Sequence, residues 1–557
     1  MPIEKLEALI LNETKKIKNS ASVTPITSIV EIIKTIDFQY YNLFGIEKIA
    51  AAQRLAQYEY GWGLVFSIFY RKYINNANKR KKHRIRKRSI IDWADKVVYY
   101  AGDIEICNQV LNYVKAELMS VSFHNEKTFK VNNLFKNDHE KFELFSLQYN
   151  HYKKSLKFEK ESKLVIGKMP RVRSELKKYV REDKQKGIIY SLPEEIQNFY
   201  SEFSFLYINS TVILDDFDEN DKFGNLRYKD YIEFAYYIQR IAFIHRDCCV
   251  AFVDSVKNPP HMRKLLTQIL SEQDIINRYS SYSSKSPDEV RELLECFSID
   301  HNNLETHINY PKAIPAPLIK INGRKLIISY YGCMKNPVYF LNRELKRRYP
   351  SDFFEAVNKR ELRFRNEIYE LFPQKNIFKV FDNVIIKENG KVSTDIDAIV
   401  FDKNSKSLGL FQLKWQDSFT TNFKERFSRI SNLIAKSTEW IEKVDKWTKN
   451  QSHENILRTL KINGETEISA IHLFVVSRNH MHFTNTNLDE RATWASWFQI
   501  DEAVDTISIE TSTDPILDFA KKIQKLSPKN RKISDVKVVY TTDRFIKLAK
   551  YEIRIKS

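Results

Sequence analysis

The chain has 557 residues, 43% of them hydrophobic and 13% aromatic, which excludes a disordered or fibrous protein. Lysine and arginine number 90 against 71 aspartates and glutamates, giving a net charge of +19. That balance favours a polyanionic partner, nucleic acid before an anionic membrane surface. Glycine is scarce, 12 residues or about 2% against a usual ~7%, so a glycine-rich nucleotide-binding loop is not expected.

The N-terminus, MPIEKLEALILNETKKIKN, is amphipathic and charged, unlike a secretion signal. From residue 1 to about 308 apolar residues recur mostly at spacings of three and four, as in Ile32, Ile33 and Ile36 or Trp93, Val97 and Val98. A large all-helical half is therefore expected, serving recognition or regulation. Residues 231–253 are apolar nearly all round and are expected to form its central buried helix. Within this half, residues 79–88 concentrate charge: Lys79, Arg80, Lys81, Lys82, Arg84, Arg86, Lys87 and Arg88. Such a run is either a solvated surface or a phosphate-contacting segment. Acidic residues 216–220 begin like a calcium loop, but Asp221 and Arg227 stand where glycine and glutamate are needed, so no site is expected there. The five cysteines, Cys107, Cys248, Cys249, Cys296 and Cys333, have no framework spacing, which fits reduced thiols in a cytoplasmic protein and argues against zinc. No apolar run approaches the ~18 residues of a membrane span.

Texture changes at residues 309–349. Pro311, Pro315 and Pro317 are followed by Asn322-Gly323, a turn pair, and then by the β-branched and aromatic run 325–331, expected as a short strand. This segment reads as a linker. From 350 to 557 the pattern becomes α/β, with a helix at 352–372 ending before Pro373. Strands are expected at 378–386, 394–401 and 408–415, a helix at 423–447, and a strand at 469–476. The whole is α+β, its C-terminal part built on a mixed central sheet.

The chemistry is densest at 394–415, TDIDAIVFDKNSKSLGLFQLKW. Alternation puts Gln412 and Lys414 on one strand face, and Asp395 and Asp397 likewise share a face. Pairing the two strands would bring Asp397, Gln412 and Lys414 to one sheet end. Glu367 lies three residues after Phe364 and four before Leu371, at the rim of the helix's apolar stripe. Taken singly, such residues are more often turn carboxylates or snorkelling lysines. Their joint occurrence is what matters.

Here residues 350–480 resemble the PD-(D/E)XK nuclease superfamily, with its restriction-endonuclease-like fold. The family motif falls on Glu367, Asp397 and the run Gln412-Leu413-Lys414, with Gln412 departing from the usual acidic residue. The resemblance implies a catalytic set of Glu367, Asp397, Gln412 and Lys414. It also implies one or two Mg²⁺ (or Mn²⁺) ions held by Asp397, Gln412, the Leu413 carbonyl and Glu367, metals that favour oxygen ligands. Lys414 would orient the attacking water and stabilise charge on the phosphate. The expected activity is a DNA endonuclease of a defence or mobile-element system, with residues 79–88 on the nucleic-acid backbone. A protein partner through the helical half, self-association, and a variant that binds nucleic acid without cutting it all stay open.

Overall fold

The computed structural model describes residues 2–20, 24–43, 49–75, 88–134, 139–183, 187–211, 217–308, 316–321, 324–335, 337–388, 390–415, 423–504, 512–530 and 544–556. The basic run 79–88 lies outside them except for Arg88, which is exposed at the start of a helix. The Asn322-Gly323 pair also lies outside, although the strands flanking it pair as a hairpin, Ile321 opposite Lys325.

Helices dominate the N-terminal half. Pro2–Asn19, Pro25–Leu43, Ile49–Asn75 and Arg88–Lys115 pack on one another, and His139–Leu176, Glu194–Thr211 and Tyr228–Ser255 form a second group. Helix Tyr228–Ser255 is buried on nearly every side, through Tyr231, Phe234, Ile238, Phe243 and Phe252 among others, as its all-round apolar sequence predicts. Helices Ile49–Asn75 and Arg88–Lys115 touch backbone to backbone. A Cβ on Gly61 would stand 1.9 Å from the Val98 carbonyl oxygen, and one on Gly102 would stand 2.1 Å from that of Gln57. Only glycine admits this approach.

Two four-stranded sheets interrupt the expected all-helical pattern. One pairs Gln268–Ser271, Lys325–Ile328, Leu318–Ile321 and Ser298–Ile299. The run 325–331 is thus a strand only to Ile328, and a short helix, Tyr330–Lys335, follows. The other sheet joins Met119–Asn125 and Thr128–Asn133 to the chain's last strands, Tyr551–Lys556 and Arg544–Leu548. The expected C-terminal unit of 350–557 is therefore corrected at its far end. Ile546, Leu548 and Ile553 are buried in the core of the N-terminal half, and that burial draws the tail back.

The C-terminal part begins with α1, Pro350–Glu370, and continues through β1 (Ile377–Lys379), β2 (Val384–Glu388), β3 (Lys391–Ile396), β4 (Ala398–Asp402) and β5 (Ser407–Lys414). Next come α2 (Phe423–Arg429), a π turn at Ile430–Ile434, α3 (Ala435–Lys449) and α4 (His453–Thr459). The order closes with β6 (Ala470–Ser477), β7 (Ala492–Ser496), α5 (Trp497–Val504) and α6 (Pro515–Leu526). The sheet order is β1-β4-β5-β6-β7, antiparallel up to β5 and parallel from β5 to β7. It is the mixed sheet that the sequence predicts.

Two expected strands split. The run 378–386 forms β1 and β2, and the run 394–401 breaks at Asp397 into β3, which pairs with β2 outside the main sheet, and β4, which lies within it. Strand β5 is buried from Ser407 to Leu413, as a central strand requires. One face of the sheet packs on α3 and α4 through Trp440, Ile441, Val444 and Leu457. The other packs on α1, α5 and α6 through Phe364, Ile368, Ile500, Phe519 and Ile523. Each such buried side chain contributes about 1.5–3 kcal/mol over its exposed state. Helix α1 belongs to two cores at once: Phe353 and Ala356 pack with the N-terminal half, Phe364 and Ile368 with the sheet. That double anchorage fixes the helix that carries Glu367.

A candidate active site at the break between β3 and β4

Asp397 occupies the break itself. Its backbone N–H donates to the Phe411 carbonyl at 3.1 Å, so it stays tied to β5 while β3 turns away toward β2. Its side chain bends onto the same strand. The Leu413 N–H donates to Asp397 Oδ2 at 2.7 Å, and the Gln412 amide nitrogen donates to the same oxygen. Two of the three predicted β5 positions thus meet Asp397 directly. Lys414 supplies the strongest charge acting on it.

Burial nevertheless dominates the Asp397 carboxyl and pushes it up from 3.8 to about 6. The Lys414 ammonium, the Leu413 N–H and the Gln412 amide each pull it down, whereas Asp395 pushes it up. A carboxyl in this state gains from any cation brought close to it. Asp395 itself is exposed, and its carbonyl accepts the Trp440 indole N–H at 2.7 Å, pinning β3 to α3.

Lys414 ends β5. Across the parallel strands it stands level with Ser477 on β6 and Ser496 on β7. Both serine hydroxyls are fully buried and have no hydrogen-bond partner among the described residues. A polar row at the carboxyl ends of parallel strands is where open α/β sheets place their ligands.

Glu367 lies on α1, half-buried at the rim of its apolar stripe, and its carboxylate faces Arg478. Arg478 Nη1 donates to Glu367 Oε2. Arg478 immediately follows β6, and its backbone N–H donates to the Lys414 carbonyl at 2.9 Å. Its guanidinium stands 4.7 Å from the Trp415 ring centre, 4.9 Å from Trp497 and 5.5 Å from Phe364. Arg360 and Arg363 stand 5.5 and 5.1 Å from the same Trp415 ring. None of these arginines was expected. No local sequence signal marks Arg478, since its place depends on β6 lying parallel to β5.

For a hard divalent cation the oxygen donors gathered here are the Asp397 carboxylate, the Gln412 amide oxygen and the Leu413 carbonyl. The last shares the strand edge of the Leu413 N–H that already reaches Asp397. An oxygen-only set of this kind, with its carboxyl pushed up by burial, is of the type a hard divalent ion takes. Among the described residues no group of three or more His, Cys, Asp or Glu is placed to hold a metal. No family model, curated protein or solved structure matches this chain.

The five cysteines are all free and buried, and burial pushes Cys107 and Cys333 well above the usual thiol range. No described helix is long and apolar enough to cross a membrane.

Proposed function

We propose that this chain is a metal-dependent nuclease that hydrolyses phosphodiester bonds, with DNA as its substrate. The observation carrying the reading is Asp397 bent onto Gln412 and Leu413 beside Lys414, at the carboxyl end of the motif strand. Asp397, Gln412 and the Leu413 carbonyl would hold Mg²⁺ or Mn²⁺. When bound, such an ion makes its water more acidic and offsets phosphate charge. Lys414 Nζ donates a hydrogen bond to a non-bridging phosphate oxygen as negative charge builds there. The same ammonium would orient the water that attacks phosphorus. Net charge of +19 favours the polyanion's approach and makes its binding salt-dependent.

Incubating the full chain with plasmid, linear and single-stranded DNA in Mg²⁺ or Mn²⁺ tests the reading. Cleavage should disappear in EDTA, and Lys414→Ala should lower it by about 10²–10³-fold while DNA binding persists. Equal cleavage by wild type and variant would overturn the assignment of the site. A second reading, binding without cleavage, draws on one observation: Gln412 brings no charge to the site, and Glu367 is already engaged by Arg478. Binding with no metal-dependent cleavage of any of the three substrates would select it.

A further inference from the structure

We infer that Arg478 is a built-in positioning cation that takes Glu367 out of metal binding and limits the site to a single divalent ion. The inference rests on the nuclease reading above. The family resemblance assigns Glu367 to a second ion or its waters, whereas here that carboxylate accepts from Arg478 Nη1.

The guanidinium is not a passing surface contact. Arg478 is buried to 8% exposure, and rings from three different elements wall it in: Phe364 from α1, Trp415 after β5 and Trp497 from α5. Its backbone is tied to Lys414, so side chain and main chain are both fixed beside the motif strand. An arginine keeps its charge at every working pH and matches a carboxylate in geometry, and stacking on rings adds to its hold. A second dication would have to displace this cation from Glu367 and then sit beside it.

Charge counting agrees. With Glu367 neutralised, the remaining donors are one carboxylate, Asp397, and two neutral oxygens, from Gln412 and Leu413. One hard ion can be held by such a set, completed by water and substrate phosphate. Two ions could not share it without a further acid, and Asp395, the nearest in sequence, is exposed to solvent. Arg478 therefore ties α1 to the ends of β5 and β6 while engaging the carboxylate that a second ion would need.

The experiment counts Mn²⁺ bound to the full chain by equilibrium dialysis with electron paramagnetic resonance, without DNA. Wild type should bind one ion, and Asp397→Ala should lose it. Arg478→Met keeps an apolar, ring-compatible side chain and removes the guanidinium from Glu367; a second, weaker ion should appear. Glu367→Gln should leave the count at one, as should Arg478→Lys. Two ions in wild type would overturn the inference while leaving the nuclease reading standing. One ion in Arg478→Met, or loss of the ion in Glu367→Gln, would equally overturn it. No ion in wild type would overturn the metal-dependent reading itself. Near-ultraviolet circular dichroism on each variant identifies one that has not folded, and the Glu367→Gln arm then decides alone.

Discussion

Replacing Asp397 with asparagine removes one charge and keeps the side chain's shape, so it isolates the electrostatic cost of the site. Burial raises the Asp397 carboxyl from 3.8 to about 6. At about 1.4 kcal/mol per pH unit, two units amount to about 3 kcal/mol of strain on the ionised form. The sign follows from proton counting. Between pH 4 and 6 the folded chain holds a proton that the unfolded chain has released, so stability falls as pH rises through that window. Above 6 the full cost is present; below 4 it is absent. Asparagine does not titrate. Its Oδ1 can still accept the Leu413 N–H, and the Gln412 amide can turn to present its oxygen. In EDTA at pH 8 the Asp397→Asn chain should therefore be more stable around β3 to β5 than wild type, by about 1–3 kcal/mol once imperfect hydrogen bonding is allowed for. At pH 4 the gap should close. Because the chain has more than one core, a single unfolding midpoint is a poor readout. Hydrogen exchange of peptides from 394–415 reads the local opening, which should slow by up to about 100-fold in the variant. Adding Mn²⁺ should stabilise wild type and leave the variant unmoved. A variant no more stable at pH 8, or a gap of equal size at both pH values, would refute the reasoning.

Gln412→Glu should tighten Mn²⁺ binding and preserve cleavage, since it adds a charge in the same place; calorimetric titration beside a cleavage assay reads both. Unaltered or weaker affinity would take Gln412 out of the ion's ligand set. Gly61→Ala should destabilise the helical half by more than about 3 kcal/mol, because the added Cβ falls 1.9 Å from the Val98 oxygen, and urea denaturation followed by circular dichroism measures it. Replacing several cations of 79–88 should weaken binding to all DNA sequences alike and flatten the slope of log affinity against log salt. An unchanged slope would leave those residues to solvation.

The sheet was legible because its strands are short apolar runs bounded by turn residues, and because Pro373 ends α1 where the pattern says it must. The motif strand was legible for the same reason: Gln412 and Lys414 are polar at alternate positions in an otherwise buried strand. The small sheets of the N-terminal half were not. Strands such as Leu318–Ile321 and Ser298–Ile299 are too short to carry a period, and the helical spacing around them is far louder. The return of residues 544–556 was also hidden, since its partner strand lies more than four hundred positions away and local pattern says nothing of pairing. The split at Asp397 escaped notice because Thr394 to Phe401 alternates well enough for one strand. The bend comes from Asp397 bonding back to β5 while β3 finds β2.

Arg478 shows most plainly why residue spacing was insufficient. Nothing in S-R-N-H separates it from an ordinary strand end. It matters only because β6 lies parallel to β5 with Ser477 level with Lys414, which sets the following residue against α1. The segment it opens is held from two sides. Arg426 Nη2 donates to the Thr484 carbonyl at 2.5 Å, and the His139 N–H donates to Thr484 Oγ1 at 2.9 Å. His139 begins helix His139–Leu176, whose 38 residues span about 57 Å at 1.5 Å per residue. The same helix packs on α5, which supplies Trp497 to the ring wall around Arg478. Near its far end Arg173 pairs with Asp247 at 3.3 Å, inside the N-terminal half, where Tyr200 also donates to Asp247 at 2.8 Å. One helix, with Pro170 inside it ahead of Arg173, thus runs from the buried polar cluster of the helical half toward the strand end beside Glu367. That helix therefore meets the segment after β6 at Thr484 and packs on α5, whose Trp497 ring lies against Arg478.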